Sequence, residues 1–162
     1  KDIDRARRAG CAGIATGALT ASGRVDADAV RRLVAVAGGL PVTFHRAFDC
    51  LTTGGPDALA ELAALGVERV LTAGGSATAF AGRDEIGWLR RAAGPIVMAG
   101  GGVTGETVIE LVAATGVTEV HLSGVRFAEL GPAAFGRNSV PNPERVQLVL
   151  DALRQAYGRP AT

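Results

Sequence analysis

Five short apolar runs decide most of what this chain can fold into. They begin at Gly13, Pro41, Glu68, Pro95 and Thr118 and read GIATG, PVTFHR, ERVLTA, PIVMAG and TEVHLS. One arrives roughly every 25 residues, the length of a strand plus a covering helix. Helix-like stretches ending in Gly or Gly-Val precede them: RRAG at 7–10, AALGV at 63–67, RAAG at 91–94 and AATGV at 113–117. Glycine at such a position closes a helix in the left-handed conformation before the chain turns into a buried strand. The intervening segments have helical spacing, with Val30, Leu33, Val34 and Ala37 on one face and Arg31 and Arg32 turned away. Leu59, Leu62 and Leu65 repeat the pattern, and Asp26, Asp57 and Thr104 suit N-cap or first-turn positions. No run is joined to its successor by a two-residue turn, so hairpins are not expected. Strand and helix alternating at this period predict a parallel sheet with right-handed crossovers.

Two α/β architectures satisfy that pattern: an open doubly wound sheet, or a (β/α)8 TIM-type barrel of which about five βα units, strands 4 to 8, are present. An orphan helix before the first run and a first residue of Lys rather than Met favour the barrel with its first three strands missing. The expectation is a single partial barrel domain over residues 1–162, a fragment of a longer fold. The last segment, VPNPERVQLVLDALRQAYG, reads as a helix introduced by proline. Its Val146, Val149, Leu150 and Leu153 would close the barrel floor or pack on a neighbour.

Composition narrows the function classes. Formal net charge is +1, which gives nucleic acid no electrostatic footprint. No apolar run reaches spanning length and no secretory leader opens the chain, so a cytoplasmic protein without membrane contact is expected. Cys11 and Cys50 lack metal-ligand spacing and fit a reducing compartment.

Parallel α/β sheets bind ligands at the C-terminal strand ends, and the unusual residues of this chain gather there. HRAFD follows the second run, LTAGGS the third, MAGGGV the fourth, and the fifth ends in HLSG. Alternation pairs Val42 with Phe44 towards the helices and sends Thr43 and His45 inward; Val120 and Leu122 likewise send His121 and Ser123 inward. The only two histidines thus share a face, with Thr72 and Ser123 placed beside them. Imidazoles there can donate or accept a proton, or ligate a metal. Arg46 suits a carboxylate or phosphate, with Asp49 orienting it or His45; the bland alternative is a surface ion pair. His45, Arg46, Asp49 and His121 are therefore the candidate catalytic residues. Gly74, Gly75 and the run Gly100, Gly101 and Gly102 are either tight-turn residues or bare N–H groups that cup an anion. No lysine follows them in Walker spacing, and the dinucleotide fingerprint is incomplete. Cys50, His45, Met98 and His121 would make a soft-metal set only if the fold converges them.

VTFHRAFD, LGVERVLTAGG, IVMAGGGV and TGVTEVHLSG follow one another in an order and spacing that resembles the copper homeostasis protein CutC family. The earlier AGCAGIATGALTASGRVD is similar to that family's GADG-x-V-x-G-x-L-x-x-x-G-x-VD segment, so the likeness runs from about Asp2 to Gly124. The resemblance implies a cytoplasmic (β/α)8 barrel that self-associates and is linked to copper handling, with Cu(I) as the proposed ligand. It carries over His45, Arg46, Asp49, Thr72, Gly74, Gly75, Gly100 to Gly102, His121 and Ser123 as pocket residues. The family's first three strands, with their early Glu, Cys and Arg positions, have no counterpart here, and Ala73 stands where the family usually has Ser. The residues themselves, rich in Arg and backbone N–H donors, point instead to a small anionic or phosphorylated ligand.

Overall fold

Strand β1 (Ile14–Thr16) opens a five-stranded parallel sheet that continues with β2 (Val42–Phe44), β3 (Arg69–Thr72), β4 (Ile96–Gly100) and β5 (Glu119–His121). The computed structural model describes residues 1–129 and 137–158, so the expected domain end at Thr162 lies outside the described residues. Sheet order equals chain order, β1-β2-β3-β4-β5, every neighbour pair parallel. This is the parallel α/β architecture that the five runs predict.

Helices α2 (Ala27–Ala37), α3 (Pro56–Ala64), α4 (Arg83–Arg91) and α5 (Val108–Thr115) fill the crossovers, with α1 (Asp2–Arg8) ahead of β1. Asp26 caps α2 by accepting the Ala29 N–H at 2.9 Å, and Gly38 closes it at φ +61°. Gly116 closes α5 in the same left-handed conformation. Asp57 falls in the first turn of α3, as expected, whereas Thr107 rather than Thr104 precedes α5.

The core lies between the helices and one face of the sheet. Val42 and Phe44, Val70, and Val97 and Ala99 point there, against Val30, Leu59, Leu62, Ile86, Leu89, Val108 and Leu111, all essentially inaccessible. The opposite, inner face carries Thr43, Arg69, Leu71, Ile96, Met98, Glu119 and His121. None of these is buried.

One expectation needs correction, and the two places open to the last helix are decided. After β5 the chain forms β6 (Val125–Glu129) and β7 (Arg137–Pro141), an antiparallel pair in a separate sheet. A long connection replaces the two-residue turn whose absence had argued against hairpins. The last helix, α6 (Pro143–Tyr157), starts at a proline after an Asn142 cap, as read. It packs along α5 rather than under the strands, with Leu148 against Gly105 and Val149 buried.

Candidate functional site

The 3-10 turn Arg46–Cys50 follows β2 directly and is capped by His45, whose Nδ1 accepts the Ala47 N–H at 3.1 Å. One turn is enough to swing Asp49 back under the end of β3. Its carboxylate is nearly buried, with 8% of the side chain exposed. Asp49 accepts from the Thr72 hydroxyl, from Ala73 N–H at 3.0 Å, from Gly75 N–H at 3.2 Å and from Arg46 Nε at 2.7 Å. Thr72 in turn accepts the Gly74 N–H at 2.9 Å. These residues form a closed lock between the ends of β2 and β3.

Arg46 leaves that lock towards β4. Nη2 donates to the Ser76 carbonyl at 3.2 Å, and Nη1 lies over Gly101, where a Cβ would come within 2.8 Å of it. Gly101 and Gly102 adopt φ of +116° and +65°, and a Cβ at Gly102 would meet Thr78 at 2.8 Å. Glycine is therefore required at both positions. The Gly101 carbonyl is taken by Ala79 N–H at 2.8 Å, which ties the β3 and β4 loops together. Gly100 pairs with His121 in register, and Leu71 and His121 flank its Cα on the inner face.

The site residues thus divide. Arg46, Gly100, Gly101 and Gly102 meet at one place on the strand-end rim, with His121 beside them. Ser123, past the end of β5, is exposed. Asp49, Thr72, Gly74 and Gly75 form the lock, and line a cavity of about 210 Å³ shared with Phe48, Leu51 and Glu85. Thr72 is not beside the histidines: it shares the helix-facing side with Val70 and is fully buried. Nor does the Ala73–Ser76 loop offer an anion its amides, because Asp49 and Thr72 already occupy those of Ala73, Gly74 and Gly75. His45 and His121 do share the inner parity. They stand on strands three steps apart, about 14 Å along the sheet.

A soft-metal set does not form. Among the described residues no group of three His, Cys, Asp or Glu side chains is placed to hold a metal. Cys50 is exposed and Cys11 lies ahead of β1, at the other end of the strand. Among the described residues, then, His, Cys and carboxylate side chains do not gather into a three-ligand centre.

One inner-face feature escaped the sequence reading. Arg69 Nε donates to Glu119 Oε2 at 2.7 Å, bridging β3 and β5 across β4. That hydrogen bond and the Glu119 charge raise the Arg69 pKa above its ordinary value. The parity that sends His121 inward sends Glu119 inward too, so the signal was there.

Comparison with known proteins extends this picture. Residues 1–126 match the model of the CutC family. A CutC family protein of Xylella fastidiosa is 45% identical over 136 residues, covering 81% of this chain and 51% of the relative. The crystal structure of CutC from Streptococcus agalactiae, a protein provisionally assigned to copper homeostasis, aligns with a TM-score of 0.70 at 31% identity, covering 75% of this chain and 60% of that one. Inosine 5′-monophosphate dehydrogenase of Legionella pneumophila aligns with a TM-score of 0.64 at 13% identity, over 96% of this chain and 62% of that one, a likeness of fold alone. The chain spans about half the length of the first curated relatives it matches. No helix among the described residues is long and apolar enough to cross a membrane. With the strand-end motifs, the sheet order and the matched span all in agreement, the chain belongs to the CutC family.

Proposed function

We propose that this chain serves copper homeostasis in the cytoplasm, acting on Cu(I) as an assembly of copies or together with further protein. Family membership carries this reading, and the provisional assignment of the S. agalactiae protein supports it. No group of three His, Cys, Asp or Glu side chains gathers among the described residues, so on this reading further ligands come from a second copy or from beyond these elements. Competition with a Cu(I) chelator tests it. Chelator-resistant binding that weakens in Cys50→Ala and His121→Ala is expected; no binding, or binding indifferent to both substitutions, sinks it.

A second reading is favoured by a specific observation: Asp49 and Ser76 hold the Arg46 guanidinium with Nη1 against Gly101. A clamped cation beside two positive-φ glycines suits a small anionic or phosphorylated metabolite. On this reading Arg46 and the amides of the Gly100–Gly102 run bind the anion, with His121 and Ser123 as polar contacts. Crystals grown with sulfate should show the ion at Gly101, and Arg46→Ala should remove it. A side-chain-filled rim that admits no ion overturns this reading.

A further inference from the structure

His45 combines a backbone cap with a solvent-facing ring edge. A backbone amide can only donate, so the Nδ1 that accepts Ala47 N–H at 3.1 Å carries a lone pair. The proton of the neutral ring then sits on Nε2. Packing holds the ring in this pose. Its Nδ1–Cε1 edge lies over Gly17 at the end of β1, where a Cβ would come within 2.8 Å of Nδ1 and 2.7 Å of Cε1. His45 is exposed, and no hydrogen bond among the described residues engages Nε2. A histidine that ligates a metal through Nε2 donates its Nδ1–H to a neighbour. His45 has the reverse polarity, set by the first amide of its own turn.

We infer that His45 is a fixed Nε2–H donor and not a copper ligand, and that it reads an acceptor oxygen on the ligand. Arg46 reaches from the end of β2 towards β4, whereas His45 leans towards β1. The two neighbours therefore address opposite ends of a bound molecule. The class that fits is a short metabolite with an anionic group at Arg46 and a carbonyl or carboxylate oxygen at His45. This ligand role rests on the anionic reading of the rim; the tautomer does not.

Two measurements separate the parts. In the full chain with ¹⁵N-labelled histidine, at about pH 8 where a free imidazole is neutral, long-range ¹H–¹⁵N correlation should show Nε2 protonated and Nδ1 bare. Added Cu(I) should leave both unchanged. A protonated Nδ1, or ring nitrogens shifted by Cu(I), overturns the His45 assignment whatever the rim binds. Calorimetry with phosphoglycolate and with inorganic phosphate then tests the ligand role. In His45→Asn the amide oxygen keeps the cap on Ala47 N–H but the distal donor is gone. Phosphoglycolate affinity should fall about tenfold, phosphate affinity should hold, and His45→Gln should recover part of the loss. An unchanged or equal loss for the two probes overturns the donor role. Neither probe binding the wild-type chain overturns the anionic reading itself, and the ligand role with it.

Discussion

Four donors reach the two oxygens of Asp49: one hydroxyl, two backbone amides and the Arg46 Nε. Removing the carboxylate strands all of them in a nearly closed space, which is costlier than the loss of any one bond. Asp49→Ala is expected to destabilise the chain by about 3 kcal/mol, read from urea unfolding; a change within error of zero sinks the lock. Gly101→Ala acts on the same assembly from the other side. It combines an unfavourable φ of +116° with a Cβ that collides with Arg46 Nη1, so any sulfate seen at the rim of the wild type should be absent from crystals of the variant. HRAFD was legible as a cluster because its members lie within five residues. The position of Thr72 was not: parity groups it with Val70, as found, but its partner Asp49 comes from 23 residues away and no local signal announces that lock. For the same reason AGGS could be read either as a tight turn or as open amides, and it took a distant carboxylate to decide against the second.

At the level of elements, the repeating unit was legible because each signal is local. Alternation marked β2 to β5, a carboxylate cap began α2, and a left-handed glycine ended α2 and α5. The β6–β7 pair was not, since no two-residue turn motif announces it. Arg69 and Glu119 show what an inner-face pair contributes to an element. Each is about 30% exposed, so Glu119→Gln should cost only about 1 kcal/mol, less in high salt. Denaturation at two salt concentrations checks this, and a loss that is insensitive to salt contradicts it. Glu106, ahead of α5, gives a pH test. The Thr104 hydroxyl first, and its own backbone N–H next, hold its carboxyl below the ordinary 4.5. A lowered folded-state pKa stabilises above the unfolded value and is lost as pH falls through the folded one. The melting temperature of the wild-type chain should therefore drop more steeply than that of Glu106→Gln as pH falls below 4.5; parallel curves would show the bond to be inconsequential.

For the molecule as a whole, the sheet has two unequal faces. The helix-covered one holds nearly all the buried apolar side chains, while the inner one leaves Ile96 43% exposed beside half-buried Leu71 and Met98. Among the described residues β1 and β5 each pair on one side only, and of these two edges β5 is the one next to that apolar strip. Strand edges of this kind template association unless charge or a covering segment blocks them, and Arg69 and Glu119 neutralise each other instead of repelling a partner. The chain is therefore expected to self-associate through this face, and light scattering should give a mass that climbs above 16.4 kDa as concentration rises through the micromolar range. Ile96→Lys puts a charge where little packing is lost, so it should restore the monomer mass without lowering the melting temperature. A wild-type mass that stays monomeric rejects the open face as an interface. A variant that still associates moves the contact elsewhere, with the apolar groove between α5 and α6, lined by Val112, Val120, Leu150 and Leu153, the next surface to charge.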